Sequence, residues 1–201
     1  MKKNKGISTD NNFIKAMNYY KKTYSISYEY IEKENVEFYN LLNKRTGFHI
    51  SPQDENVFMI FKDGDAVSSY TGPYLESSIR KLLIDNNVLD EKYKEIDYVI
   101  YDNEFDEYFK KDTLFNILYI NESSDDLYKY REILMKNNVK SLVLYANNID
   151  SSDTCILFDE MFNINSDSYN NFPVLIKVKS GKYLSIEKNI TLNNFMDKLS
   201  K

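Results

Sequence analysis

The 201-residue chain holds a single cysteine, Cys155, so it can form neither an internal disulfide nor a Cys-x-x-Cys pair. Dithiol redox chemistry within the chain is thereby excluded. It also holds one histidine, His49, with no second imidazole and no thiol near it in sequence. That is poor material for a metal site or a triad, and a loop position just after Gly47 accounts for it. Five glycines and three prolines punctuate the chain, and no Walker loop, nucleophile elbow or dinucleotide glycine fingerprint is among them. No apolar run reaches the roughly 18 residues that a membrane-spanning helix requires. The opening Met1-Lys2-Lys3-Asn4-Lys5 leads into polar Asn and Asp rather than a signal-peptide core. As written, the chain reads as cytoplasmic; a signal or anchor removed upstream would place it outside the cytoplasm. Surplus positive charge is missing too: the net charge is −5 and the pI about 5.1, which argues against a nucleic-acid or anionic-membrane partner. Residues 1 to 90 balance at 12 acidic and 12 basic side chains, while residues 91 to 201 carry 19 against 14.

What is present is apolar and aromatic. An apolar content of 42% can bury one sizeable core or two small ones. Tyrosine (18) and phenylalanine (12) make up the aromatics, with no tryptophan. One segment pattern occurs twice: an apolar run, a Lys-x-Gly turn, a second strand and an amphipathic helix. The first copy is Val57 to Gly64, Ala66 to Tyr70, and Tyr74 to Asn86. The second is Pro173 to Gly181, Lys182 to Glu187, and Thr191 to Leu199. Asp63-Gly64 and Ser180-Gly181 between apolar runs are hairpin signals, because glycine accepts the positive φ of a tight turn.

Between these landmarks the periodicity predicts further elements. Phe13, Ile14, Met17 and Tyr20 give one helical face over Asn12 to Lys22, with Asp10 or Asn11 as N-cap. Tyr24 to Ile31 alternates large with small or polar residues and predicts a strand; Asn35 to Thr46 predicts a helix stopped at Gly47. The second half reads strand Asp97–Tyr101, helix Asn103–Lys110, strand Leu114–Ile120, helix Asp125–Asn137 and strand Ser141–Tyr145. A short helical turn at Phe158–Phe162 precedes the last hairpin. The orders are α-β-α-β-β-α for residues 1 to 90 and β-α-β-α-β-α-β-β-α for residues 91 to 201. Helical crossovers between strands imply an α/β fold with a mixed sheet and an antiparallel edge.

This order, with Phe172-Pro173 directly before a Val-Leu-Ile-Lys-Val-Lys-Ser-Gly strand and turn, resembles the thioredoxin-like superfamily. The resemblance implies mixed sheets flanked by helices in two modules, the first truncated by loss of its opening β-α-β. It also implies a cis Phe172–Pro173 bond facing the functional end of the sheet. In that family the redox thiols sit after the second strand, where a helix N-terminus lowers a thiol's pKa. Here that place reads Asn121-Glu122-Ser123-Ser124-Asp125-Asp126-Leu127, and in the first module it falls near Ser8 to Asn11. Neither holds a cysteine, and serine and aspartate there read as helix caps.

The resemblance therefore implies a redox-inactive protein- or peptide-binding module with no cofactor, whose groove is formed by Ser123, Ser124, Asp125, Asp126, Phe172 and Pro173. An extended peptide added beside the proline would need no thiol. Tyr19, Tyr20, Tyr24, Tyr28 and Tyr30 crowd the front of the first module and are candidates for an interface with a protein partner or a second copy, or for a plain aromatic core. Two alternatives stay open: a structural subunit of a secretion, plasmid-transfer or phage assembly, and, against the acidic Glu122, Asp125 and Asp126, an enzyme holding a small acidic ligand at Ser123 or Ser124. The acidic runs Asp102 to Glu107 and Glu122 to Asp126 lack the spacing of a calcium loop. Cys155, in an acidic stretch, reads as a small semi-buried apolar residue.

Overall fold

A computed structural model of the chain describes residues 7–29, 36–50, 57–71, 76–146, 151–164 and 171–199. It divides into two compact units, Met1–Glu91 and Lys92–Lys201.

The second unit is built on a five-stranded sheet. After a 3-10 turn (Glu91–Glu95) at the unit boundary, it comprises in chain order β3 (Tyr98–Val99), α4 (Asp102–Lys110), β4 (Phe115–Asn121), α5 (Leu127–Lys136) and β5 (Ser141–Ala146). Then follow α6 (Ser152–Phe162), the hairpin β6 (Val174–Lys179) and β7 (Lys182–Glu187), and α7 (Leu192–Leu199). The spatial order is β3-β5-β4-β6-β7. β4 and β5 run parallel, as do β3 and β5, whereas β6 is antiparallel to β4 and β7 to β6. This order, with helices on both faces and a cis Phe172–Pro173 bond, is the thioredoxin-like arrangement that the sequence resembles.

Alternation explains how each strand serves two helical layers. Phe115, Ile117 and Tyr119 of β4 and Val174, Ile176 and Val178 of β6 join Phe105 of α4 and Cys155 and Phe158 of α6 in one core. The intervening residues face α5 and α7, where Tyr130 meets Phe195 edge-on at 4.9 Å and donates its hydroxyl to Ile190 O at 2.7 Å. Because both faces are covered, β4 and β5 are buried almost throughout, which is why they read in sequence as near-continuous apolar runs. The Ser180-Gly181 turn, both residues at positive φ (50° and 70°), docks on the end of α4. There Ser180 N–H bonds Lys111 O at 3.0 Å and Gly181 N–H bonds Phe109 O at 2.8 Å, supplying donors to a helix terminus otherwise short of them.

The first unit contains α1 (Ile7–Tyr24), α2 (Val36–Thr46), an antiparallel hairpin of β1 (Val57–Lys62) and β2 (Asp65–Thr71), and α3 (Glu76–Asp85). Asp63 and Gly64 form its turn at φ 54° and 92°. Gly47, at φ 73°, ends α2 as expected and bonds back to Asn43 O at 3.0 Å. Two expectations for this unit are corrected. α1 begins at Ile7, so Asp10 and Asn11 lie inside it rather than at its cap. The strand predicted over Tyr24 to Ile31 does not form across residues 24–29: Tyr24 is the last residue of α1, Ser25 turns left-handed at φ 58°, and Tyr28 donates its hydroxyl back to Asn18 Oδ1 at 2.7 Å. The segment folds onto its own helix, and residues 30 and 31 lie outside the described residues. The short turn expected at Phe158–Phe162 is the second half of the full helix α6. Among the described residues no helix is long and apolar enough to cross a membrane.

Candidate functional site

The β4–β6 register pairs Tyr119 with Val174, so the chain leaving β4 at Asn121 and the chain entering β6 at Phe172–Pro173 lie at one end of the sheet. The turn from β4 into α5 is closed by its own hydrogen bonds. Asn121 Oδ1 accepts both the backbone N–H and the hydroxyl of Ser123, each at 2.9 Å, an Asx turn in which a side chain replaces a backbone acceptor. Ser124 N–H bonds Asn121 O at 3.0 Å, and Leu127 N–H bonds Ser124 O at 3.2 Å. The N-cap residue of α5 is Asp126, yet its carboxylate makes no capping bond. It pairs instead with Lys129 at 2.6 Å, and this raises the Lys129 pKa, the hydrogen bond first and the charge second. Ser124 keeps a share of the expected capping, its Oγ accepting from Asp126 N–H at 3.4 Å, while the rest of the turn is organised around Asn121.

The chemistry of the turn follows from these partners. Ser123 spends its hydroxyl hydrogen on Asn121, and the turn contains no imidazole or thiol to activate it. Asp125 is exposed, Asp126 is tied to Lys129, and Glu122 adds a further carboxylate. The turn therefore presents a negative, conformationally fixed surface. Among the described residues no group of His, Cys, Asp or Glu is placed to hold a metal ion.

On the α4 and α6 side of this end stands a cluster that periodicity did not reveal. The Tyr119 ring packs edge-on against Phe172 at 4.9 Å and Phe158 at 5.8 Å, and its hydroxyl donates to Asp159 Oδ1 at 3.0 Å. Burial chiefly, then the neighbouring Cys155 and Asp159, push the Tyr119 pKa far above that of a free tyrosine. Phe172 is thereby held by the core while remaining half-exposed at the sheet's end. Cys155 lies on α6, buried, with its thiol directed at Tyr145 O at 3.4 Å; it is part of the core and not of the β4–α5 turn.

The remaining candidates lie elsewhere. Tyr19 and Tyr20 are buried in the first unit, Tyr24 and Tyr28 are half-buried, and Tyr30 is outside the described residues. Tyr20 donates to Glu76 Oε1 at 2.9 Å, and Arg80 Nη2 donates to Tyr24 at 3.1 Å, so these tyrosines join α1 to α3. His49 is exposed. Asp102, from the first acidic run, accepts hydrogen bonds from Asp153 N–H at 3.1 Å and Thr154 N–H at 2.8 Å, capping α6 from a neighbouring helix.

No protein-family model matches the chain, and no curated protein matches it. Solved structures similar to it include a thioredoxin from Trypanosoma brucei brucei, 14% identical over 56% of this chain and 91% of that one, with a TM-score of 0.40. Thioredoxin f2 of Chlamydomonas reinhardtii is 10% identical over 52% of this chain and 94% of its own, at 0.41. Spinach chloroplast thioredoxin f is 11% identical over 53% and 92%, also at 0.41. At such identities the likeness concerns fold alone; strand order and helix placement define the fold of the second unit without it.

Proposed function

We propose that the chain is a redox-inactive thioredoxin-like protein that binds an extended segment of a partner protein at the end of the second unit's sheet, between the Asn121–Asp126 turn and Phe172–Pro173. One observation carries this reading. The turn that would present a thiol in a redox relative is bonded to itself through Asn121, while the sole cysteine is buried in α6. Disulfide exchange requires an accessible thiolate, and this end offers none. A preformed turn beside a half-exposed phenylalanine supplies instead a rigid polar wall and an apolar contact, which suit recognition of an extended chain.

The first unit fits as a degenerate copy, residues 1–90, of the module in residues 91–201. Both have a Lys-x-Gly hairpin turn with two positive φ values followed by a helix. In the second unit a Cβ at Gly181 would meet Phe109 of α4 at 3.7 Å, whereas a Cβ at Gly64 would meet nothing within 4 Å. Loss of the opening β-α-β accounts for that open space.

The test is selection of displayed random peptides on the wild-type protein, followed by affinity measurement on a Ser123→Arg/Asp125→Arg variant. The expected result is a consensus peptide whose affinity falls at least tenfold in the variant, together with no acceleration of insulin reduction by dithiothreitol. Peptides that bind both proteins equally, or catalysed insulin reduction, would remove the proposal.

A further inference from the structure

α6 is apolar on two sides. Thr154, Cys155 and Phe158 are buried toward the sheet, yet Ile156 (56%), Leu157 (40%) and Met161 (50%) remain exposed. Together with the exposed Asp153 and Glu160 they follow i, i+3, i+4, i+7, i+8 spacing, which aligns them as one stripe along the outer surface. A helix apolar on both sides is ordinarily covered on both. The stripe is also preformed, since α6 is held at one end by Asp102 and at the other by Lys188, whose ammonium donates to Phe162 O at 2.6 Å and Asn163 O at 2.9 Å. A fixed surface spends little entropy on binding.

We propose that this face of α6 docks a single amphipathic helix of a partner protein, one that flanks its apolar stripe with lysine or arginine. Charge selects that occupant. α6 contains no basic residue, Asp153 and Glu160 stand at the two ends of the stripe, and the Lys188 ammonium is occupied by backbone carbonyls. Basic flanks on the incoming helix find complementary charge at both ends. Area selects against a second copy: three half-exposed side chains fall far short of the ~800 Å² per partner that a standard interface buries, and antiparallel pairing of α6 with itself would bring carboxylates toward carboxylates. A helix laid along an apolar stripe is a recognised mode of peptide binding at this smaller scale. The surface is distinct from the Asn121–Asp126 turn, so an adaptor with both would bridge two partners.

The test titrates the 15N-labelled full chain with two synthetic helical peptides that share one leucine stripe and differ in lysine or glutamate flanks. The lysine peptide is expected to shift amides of α6, to bind at least tenfold more tightly than the glutamate peptide, and to lose at least tenfold in affinity on a Leu157→Gln/Met161→Gln variant. Both side chains are solvent-exposed, and circular dichroism checks that the variant keeps its fold. Equal binding of the two peptides, shifts confined to other elements, or no shift at millimolar peptide would overturn the proposal. So would a dimer in sedimentation that the variant abolishes, which assigns the face to a second copy, or binding to phosphatidylcholine vesicles that the variant abolishes, which assigns it to lipid.

Discussion

Arg131 is wholly buried, and each nitrogen of its guanidinium has a hydrogen-bond partner. Nε donates to Asp97 Oδ1 at 2.7 Å, Nη2 to Asp97 Oδ2 at 3.1 Å and to Asp97 O at 3.4 Å, and Nη1 to the Tyr145 hydroxyl at 2.7 Å. Asp97, held at φ 58°, is equally buried, so each charge offsets the cost of burying the other. Removing one partner strands the other: Arg131→Met should cost about 3–5 kcal/mol. The Asp97→Asn/Arg131→Met double variant should cost less than the sum of its singles. Urea unfolding midpoints of the three variants check this, and strict additivity would show that the pair is not coupled. The pair is not legible in the sequence, because its members are 34 positions apart and Arg131 looks like any cation on an amphipathic helix. Tyr119 yields the pH prediction. Its folded pKa is raised above the ordinary 10.0, so its contribution to stability is complete below pH 10 and is lost as the pH climbs above that value. Unfolding free energy measured between pH 9 and 11 should fall for the wild type and fall less steeply for Tyr119→Phe; parallel curves would sink the assignment. Tyr130 and Tyr183, also raised chiefly by burial, leave a residual slope in the variant.

Helix α6 shows what sequence reading captures and misses in an element. Its second half was visible as Phe158–Phe162, but the exposed Ile156 and Leu157 blur the one-sided apolar period, and its N-cap comes from a helix 51 positions earlier in the chain. Local pattern cannot report a cap supplied across the fold. The strand expected over Tyr24 to Ile31 fails across residues 24–29 for a related reason: large and small residues alternate there, but Tyr24 bonds Arg80 of α3 and Tyr28 bonds Asn18 of α1, and among the described residues no neighbouring strand rewards an extended backbone. By contrast, both hairpin turns were legible because Asp-Gly and Ser-Gly specify positive φ locally. The candidate turn was legible in position, directly after the second strand of the second unit, whereas its organisation around Asn121 was not. The two tertiary caps of α6 make a quantitative prediction. Asp102→Ala should cost about 1–2 kcal/mol, and Lys188→Met about 1 kcal/mol through loss of a cation at the helix C-terminus. Hydrogen exchange should quicken at the first amides of α6 in the former and leave those of α5 unchanged; uniform quickening would mean global rather than local loss.

At the scale of the whole chain, the two units differ in what they can bury alone. The second has a five-stranded sheet covered on both faces and an aromatic core drawn from α4, α6 and all five strands. The first has a two-stranded hairpin among its described residues, and such a hairpin is marginal in water without a helix or further strands to complete its apolar face. α1 and α3 supply part of that cover through Tyr20, Tyr24, Glu76 and Arg80, but the unit contains no second sheet layer among those residues. Residues 92–201, produced alone, should therefore unfold in a single cooperative urea transition with coincident near- and far-ultraviolet circular dichroism. Residues 1–91 alone should show helical signal with a broad, weakly cooperative loss, because a hairpin and three helices among the described residues give a chain of this size little apolar surface to bury. A sharp transition in the short fragment would mean that its small core suffices, and a failure of residues 92–201 to fold would mean that the thioredoxin-like sheet depends on the first unit. Where the longer fragment folds, the same experiment separates the roles: a second unit that folds alone and still binds the selected peptide carries the recognition end by itself, and the first unit is then free to serve another purpose.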